Sequence, residues 1–174
     1  MIRLARSAML ISIDVQYTDE LATAGLVAFE NWEAASATAT LTKSFTEFEP
    51  YRPGEFYLRE LPILLDTLEP FLPECSHILV DGYVDLDSQN RLGLGRHLYE
   101  RLQRAVVVIG VAKSRFRDSQ HAVEIIRGQS QRPLFITSAG IDYRDAAGHV
   151  KQMHGLARIP TLLKLADSLA RGHR

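Results

Sequence analysis

The stretch His77-Ile78-Leu79-Val80-Asp81 decides the fold class of this chain. It is a short, continuous apolar run that ends in a carboxylate. A polar loop and a helical segment, Leu92–Leu102, follow it, and a second apolar run occupies Ala105–Ala112. A strand, a helix and a strand of this kind predict a parallel pair buried on both faces.

Upstream of this unit, three stretches have the character of β-strands: Ala8–Tyr17, Ala22–Trp32 and Ala34–Ser44. The third alternates threonine and apolar residues with a period of two, and the short connections predict an antiparallel meander. A helical segment, about Glu55–Phe71, comes next, and Pro62 is expected to bend it or mark a fresh start.

Downstream, Ala122–Ile126 and Pro133–Thr137 are candidate strands of a hairpin, and helices are expected at about Tyr143–Met153 and Thr161–Arg171. The predicted fold class is therefore α/β: a mixed sheet, three antiparallel strands followed by parallel strands, flanked by helices. This order of elements resembles the ribonuclease H-like fold. We expect residues 1–174 to form one domain.

Composition excludes several classes of protein. The 174 residues are 46% hydrophobic and 24% charged, which is ordinary for a globular chain, and the single Cys75 excludes an intramolecular disulfide. The apolar N-terminus is better explained as a first strand than as a signal peptide, and no run approaches the roughly 20 apolar residues that span a bilayer. We expect a cytoplasmic protein with no membrane partner and no obligate protein partner. A net charge of −1 argues mildly against nucleic-acid binding, although the Lys and Arg residues from Lys113 onward could supply a local basic patch.

Four carboxylates occupy positions where a negative charge would be costly to bury without an ion-pair partner or a metal ion. Asp14 interrupts an apolar strand, Asp81 ends one, and Glu60 and Asp167 border the apolar faces of two predicted helices. Each has an ordinary alternative, since an aspartate at a strand end often starts a turn and Glu60 could pair with Arg59. Together they suit a hard divalent cation, and two such ions could activate water for attack on a phosphodiester. Spacing alone does not show that the four converge.

Several sequence blocks, in this order along the chain, resemble the endonuclease V family, nucleases that cut nucleic acid near inosine. The blocks are Ile13-Asp14-Val15-Gln16-Tyr17, Pro50-Tyr51-Arg52-Pro53-Gly54 with Arg59-Glu60-Leu61-Pro62, Leu79-Val80-Asp81-Gly82, Arg91-Leu92-Gly93-Leu94 with His97-Leu98, Ile109-Gly110-Val111-Ala112-Lys113-Ser114, and Arg158-Ile159-Pro160 leading to Leu165-Ala166-Asp167. They cover most of the chain. The Pro-Tyr-x-Pro-Gly…Arg-Glu and Gly-Val-Ala-Lys-Ser blocks are the most specific.

The resemblance implies a ribonuclease H-like fold, a DNA or RNA substrate, and Mg²⁺ (or Mn²⁺) bound by Asp14, Glu60 and Asp81. Asp167 takes the position that the family fills with His or Asp, and Lys113 takes that of a lysine contacting phosphate near the scissile bond. Two further sets of residues carry over: a nucleic-acid wedge of Pro50, Tyr51, Arg52 and Pro53, and a base pocket that includes Gly54, Phe56 and Gly82. A rigid, proline-flanked aromatic suits a wedge, because it can replace the stacking lost when a base is turned out.

The chain also departs from the family. After Asp81-Gly82 the stretch Tyr83–Asn90 lacks the two histidines usual beside the base pocket, and Glu55, Asp85 and Asp87 would repel a phosphate backbone unless their charge is offset. Three alternatives therefore stay open: a nuclease with a different base preference, a catalytically weak nucleic-acid-binding protein, and an α/β domain with coincidental motifs. His97 and His121 are left out of the predicted site, since a structural role is at least as good an explanation.

Overall fold

The computed structural model describes residues 8–89, 91–117 and 119–173, and in this part of the chain one sheet of seven strands forms the centre of the molecule. Its spatial order is β3-β2-β1-β4-β5-β7-β6. The strands are β1 (Met9–Tyr17), β2 (Ala22–Phe29), β3 (Ala39–Phe45), β4 (Cys75–Asp81), β5 (Val107–Ala112), β6 (Val123–Ile125) and β7 (Leu134–Ala139).

The strand directions follow the predicted pattern. β1, β2 and β3 form an antiparallel meander, whereas β4 runs parallel to β1 and β5 runs parallel to β4. β7 returns antiparallel to β5, and β6 pairs with β7 as the predicted hairpin. The mixed α/β sheet and the parallel pair around the polar loop are therefore confirmed.

Helices cover both faces of the sheet. They are α1 (Phe56–Leu68), α2 (Leu94–Arg101), α3 (Tyr143–Gln152) and α4 (Thr161–Ala170), with a short 3₁₀ helix at Glu69–Glu74 after α1. One apolar core contains Leu64 of α1 and Leu98 of α2, and a second contains Val150 of α3 and Ala166 of α4. We call these sides the α1 face and the α4 face. Within the described residues, no helix is long and apolar enough to cross a membrane.

Side chains of β1 alternate between the two faces, as the two-residue period of a strand requires. Ile11, Ile13 and Val15 belong to the core under α1, whereas Leu10 belongs to the core under α4. Asp14 therefore points to the α4 face. Because β1, β4 and β5 run parallel, their C-terminal ends meet at one edge of the sheet, which is where an α/β fold places its ligands.

Two details differ from the sequence prediction. Residues 30–38 form a loop rather than the end of one strand and the start of another, because Asn31 nucleates a turn: its side-chain oxygen accepts from Glu33 N (3.1 Å) and its carbonyl accepts from Ala34 N (3.2 Å). The first helix runs through Pro62 without a fresh start and ends at Leu68. Pro62 is exposed, so its ring meets no packed neighbour from the core side.

Candidate metal centre

Asp14, Asp81 and Lys113 lie side by side at the C-terminal ends of three parallel strands. The register pairs Ile13 with Val80, so that the next residues, Asp14 and Asp81, are neighbours, and Lys113 directly follows β5. All three line one cavity of about 300 Å³ between the sheet and α4, and Asp167 of α4 lines it as well. Four of the five predicted catalytic residues are thus brought together.

Asp14 and Asp167 interact directly. Gln16 Nε2 donates to Asp14 Oδ2 and to Asp167 Oδ1, both at 3.2 Å, and the two carboxyl groups also share a hydrogen bond. Burial, the charge of Asp81 and the contact with Asp167 raise the pKa of Asp14 to about 6. Burial also acts to raise the pKa of Asp167, but Arg171, whose Nε donates at 2.9 and 3.0 Å, together with the contact with Asp14 and the charge of Lys113, holds that pKa below its usual value. Of the two carboxyl groups, Asp14 is therefore the first to take up a proton as the pH falls.

Asp81 forms an ion pair with Lys113. The Lys113 Nζ donates to Asp81 Oδ2 at 2.8 Å, and about two fifths of each side chain is exposed. Burial acts to lower the pKa of Lys113, but the bond to Asp81 and the charges of Asp81, Asp14 and Asp167 raise it overall. Lys113 is therefore a stable cation among carboxylates.

Glu60 approaches the same carboxylates from the α1 face. It is only 6% exposed, as its position on the apolar side of α1 predicts, and within the described residues its carboxylate has no hydrogen-bonding partner. Burial, followed by the charges of Asp14 and Asp81, raises its pKa well above the ordinary value, and the neighbouring Arg59 offsets only part of this. The side chain of Glu60 does not line the cavity. Its negative charge nevertheless acts on Asp14 and Asp81, which do.

The chemistry of this donor set fits a divalent cation, although the side chains do not yet surround one. Within residues 8–89, 91–117 and 119–173, no three Asp, Glu, His or Cys side chains stand in a metal-binding arrangement. The negative charge is instead offset by Lys113, which pairs with Asp81, and by Arg171, which pairs with Asp167. Four oxygen donors, two of them buried with raised pKa values, are the groups that a hard cation stabilises.

The predicted wedge is an exposed loop beside α1. All of residues 50–56 are exposed, Tyr51 by 62%, and Glu55 N donates to Arg52 O (3.0 Å) in a tight turn that Gly54 closes with φ +79°. The Tyr51 ring lies 6.5 Å from Phe56, whose ring lies 6.3 Å from Tyr17. An exposed aromatic on a rigid turn has the form that a wedge needs.

The predicted base pocket is divided in the structure. Gly82 (φ +121°) lines a cavity of about 420 Å³ that Asp81, Lys113 and Phe116 share with it. Gly54 and Phe56 are absent from the lining of this cavity. Tyr83 forms part of the wall, and its hydroxyl is fixed because it donates to Ser114 O (2.9 Å) and accepts from Phe116 N (3.1 Å).

The acidic loop after Gly82 does not carry free charge. Arg96 donates to both oxygens of Asp85 at 2.9 Å, and Tyr143 Oη donates to it at 2.6 Å. Asp87 accepts from Arg91 Nε (3.0 Å) and from the backbone of its own turn. The predicted repulsion of a phosphate by Asp85 and Asp87 is therefore offset by Arg96 of α2 and by Arg91.

The two histidines left out of the site have structural contacts. The His97 ring stacks on Tyr57 with centroids 3.7 Å apart, and His121 Nε2 lies 2.8 Å from the carbonyl oxygen of Asp85.

Sequence reasoning missed three residues that shape the centre. Gln16 lies two residues after Asp14 and Arg171 four after Asp167, so strand and helix periodicity could have placed both beside their partners. Gly25 gave no such signal. It pairs with Asp14 across β1 and β2, and a Cβ there would stand 2.6 Å from the backbone nitrogen of Ala170 and closer still to Ala166 O. Its lack of a side chain lets α4 approach close enough for Asp167 to reach Asp14.

Comparison with known proteins identifies relatives of this chain. The family model of endonuclease V matches residues 3–132. Endonuclease V of Nostoc punctiforme is 31% identical to this chain over 70% of the chain and 62% of the relative, so the match spans less than two thirds of that protein. Endonuclease V of Streptomyces avermitilis is 29% identical over 91% of this chain and 77% of the relative.

Solved structures show the fold. The crystal structure of Ciona intestinalis endonuclease V, in complex with a DNA that contains an inosine followed by a ribo-adenosine, matches with a TM-score of 0.77 at 22% identity and covers 97% of this chain and 86% of that one. The crystal structure of the Streptomyces avermitilis enzyme gives a TM-score of 0.74 at 24% identity, covering 95% and 81%. The ribonuclease H-like fold is thereby confirmed. Since the family model matches well over half of its 174 residues, the chain belongs to the endonuclease V family.

Proposed function

We propose that this protein is a metal-dependent endonuclease that hydrolyses phosphodiester bonds in DNA or RNA next to inosine or another modified base. The observation that carries the proposal is the convergence of Asp14, Asp81, Asp167 and Lys113 on one cavity, with the charge of Glu60 acting on two of them. A protein that only bound nucleic acid would have no use for acids that repel phosphate. Family membership supports the same activity.

Asp14, Glu60, Asp81 and Asp167 would hold the ion, and Mg²⁺ or Mn²⁺ suits their oxygen donors. When bound, the ion supplies an activated water and neutralises charge on the phosphate. Asp81 would be one of the residues that hold the ion, and Lys113, whose ammonium lies against Asp81 Oδ2, would donate to a phosphate oxygen as negative charge develops there. Lys113 keeps its proton throughout, since the carboxylates around it raise its pKa.

Two further surfaces would hold the substrate. Tyr51, flanked by Pro50 and Pro53 with Arg52 beside it, would stack in the gap that a displaced base leaves. The displaced base would enter the cavity lined by Gly82, which adjoins Asp81 and Lys113, with Gly54 and Phe56 at the wedge side. The fixed hydroxyl of Tyr83 shapes that wall and bears directly on base preference.

The deciding measurement is nicking of inosine-containing DNA and RNA in the presence of Mg²⁺, beside strands of the same sequence without inosine. We expect the native protein to cut and Asp81→Ala to lose at least about 100-fold in rate, because loss of even an outer-shell partner of a metal ligand costs 10–100-fold. Asp19→Ala, at an exposed turn that does not line the cavity, is the matched control and should keep its rate.

The outcomes separate the alternatives. Metal-dependent cutting without a preference for inosine would show a nuclease with a different base preference. Binding of these strands without any metal-dependent cutting would show a nucleic-acid-binding protein on the same fold, and the nuclease proposal would be wrong.

A further inference from the structure

A group of three basic residues, Arg132, Arg158 and Lys164, lies beside the metal centre on the α4 face; we call it the basic strip. Arg158 and Lys164 line the same cavity as Asp14 and Asp81. Arg132 precedes β7, and Arg158 Nε donates to its carbonyl oxygen at 3.0 Å. The strip thus begins at the wall of the candidate active site and extends away from it.

In the part of the chain that the structure describes, no acidic side chain forms an ion pair with a residue of the strip. Among the described residues, neither the guanidinium of Arg132 nor the ammonium of Lys164 forms an ion pair, and both residues are exposed. Arg158 donates only to carbonyl oxygens, those of Lys113, Arg132 and Pro133, which carry no net charge. Burial, followed by the charge of Arg132, lowers the pKa of Arg158, which shows that the two positive charges act on one another.

Other basic residues of this region are already neutralised. Arg115 pairs with Glu124, Arg171 with Asp167 and Lys113 with Asp81. In a chain with a net charge of −1, three neighbouring uncompensated cations are a local exception, and such an exception indicates an anionic partner.

The packing of the fold explains only one of the three residues of the basic strip. Arg158 ties the loop before α4 to the ends of β5 and β7 through its three carbonyl partners, so it has a structural role. Arg132 and Lys164 have exposed side chains and no such bonds, so folding does not require their charge. Their charge is therefore available to a ligand that lies across the cavity.

We propose that the basic strip binds the backbone phosphate that neighbours the scissile phosphate along the cut strand, on the α4 side of the metal centre. The inference rests on the proposed function, since it places a strand across the carboxylates. Tyr51 lies toward α1 through its contact with Phe56, whose ring in turn contacts Tyr17, so the strand would run from the wedge, over Asp14 and Asp81, to the strip.

The test is the salt dependence of binding to a fluorescent inosine-containing oligonucleotide, as DNA and as RNA, measured in Ca²⁺ to limit cutting. Each phosphate contact adds about 0.7–0.9 to the slope of log affinity against log salt. We expect Arg132→Ala/Lys164→Ala, which removes this one phosphate contact, to make the slope less steep by about 0.7–0.9 and to lower affinity about tenfold. Arg101→Ala/Lys151→Ala removes the same net charge from exposed positions outside the cavity and should change affinity less than about twofold.

A second arm locates the contact. One phosphate at a time is replaced by an uncharged methylphosphonate. The native protein should lose affinity most at a single phosphate next to the cut, and the strip variant should not lose further there. Equal slopes for the strip variant and the control variant, or equal methylphosphonate profiles for native protein and strip variant, would overturn the proposal. Binding is measured without cutting, so the two proposals can fail separately. If the native protein bound through the strip but cut no substrate, only the proposed nuclease function would be refuted.

Discussion

At the scale of single residues, Asp85 shows how an acidic side chain can become a structural one. It is 3% exposed and accepts three hydrogen bonds, two from Arg96 and one from Tyr143. Burial would raise its pKa, but the bonds from Arg96 and Tyr143 hold it below the ordinary 3.8. The charge of Asp85 therefore fixes α2 and α3 to the loop that follows Asp81.

We expect Asp85→Asn to lower the free energy of unfolding at pH 7 by about 2 kcal/mol, because hydrogen bonds to charged groups contribute about 1.5–3 kcal/mol. A carboxyl with a lowered folded pKa stabilises fully above its unfolded pKa, and this stability is lost as pH falls through the folded value. Urea unfolding should thus show a constant difference between native protein and variant from pH 5 to 8, shrinking below about pH 4. Asp19→Asn, at an exposed turn, is the control; a difference that grew toward low pH would contradict the assignment.

Residue type and local spacing predicted where Asp14, Glu60 and Asp81 lie but not how Asp85 and Asp87 are neutralised. Glu60 follows the helical period, so its burial could be expected from neighbours three and four positions away. The partners of Asp85 stand 11 and 58 positions away, and only the folded chain brings them together. A charge pattern read along the sequence therefore overstated the repulsion that this loop exerts on phosphate.

At the scale of elements, the approach of α4 to the sheet decides whether Asp167 reaches Asp14. Gly25 permits this approach, because the backbone of α4 occupies the space that a side chain would need. Gly25→Ala should lower the free energy of unfolding by about 1–3 kcal/mol, since backbone atoms yield less easily than the end of a flexible side chain. The rate of metal-dependent cutting should fall by more than the loss of folded protein accounts for, because Asp167 moves away from Asp14.

The matched control for Gly25 is Gly148→Ala in α3, where an added Cβ meets nothing within 4 Å. It should leave activity unchanged and raise stability by up to about 1 kcal/mol, the difference in helix propensity. Unfolding and nicking are measured on both variants. If Gly25→Ala kept native activity, the close approach of α4 would not be needed for the site.

Arg127 holds the loop that leads into α4. Its buried guanidinium donates to the carbonyl oxygens of Met153, Gly155, Ala157 and Arg158. A lysine at this position cannot reach all four carbonyl oxygens, because it lacks the forked guanidinium group. For Arg127→Lys we therefore expect faster amide hydrogen exchange across 153–159 and a free energy of unfolding that is lower by about 2 kcal/mol. Exchange in α1 should not change, and exchange that rose equally in α1 would point to general unfolding instead.

The elements themselves were largely predictable, and the exceptions have local causes. Apolar runs of four to eight residues predicted β4 and β5, and helical periodicity predicted α1, α3 and α4, because burial on one or two faces leaves a pattern in sequence. The alternation at 34–38 predicted a strand that Asn31 prevents by starting a turn. The contact between Gly25 and α4 has no counterpart in the periodicity, since it depends on which strand lies beneath the last helix.

At the scale of the whole molecule, one edge of the sheet brings together negative charges whose burial and mutual repulsion are unfavourable. The stability of the rest of the fold offsets this cost. Asp14 and Glu60 are buried with raised pKa values, next to Asp81 and Asp167. Such groups lower stability until a cation compensates them, which is a common feature of active sites. The central sheet and the apolar cores on its two faces hold the carboxylates together despite their repulsion.

Metal binding should therefore stabilise the whole fold. A ligand that binds only the folded state adds RT ln(1 + [L]/Kd), about 2.7 kcal/mol at 100 times the Kd. We expect millimolar Mg²⁺ or Mn²⁺ to raise the melting temperature of the native protein at constant ionic strength. Asp14→Asn, which removes one buried carboxyl, should be at least as stable as the native protein without metal and should gain much less from it. Asp19→Asn should gain as much as the native protein. An equal gain in Asp14→Asn would mean that the ion binds elsewhere, because the carboxylates at this edge could then not be its ligands.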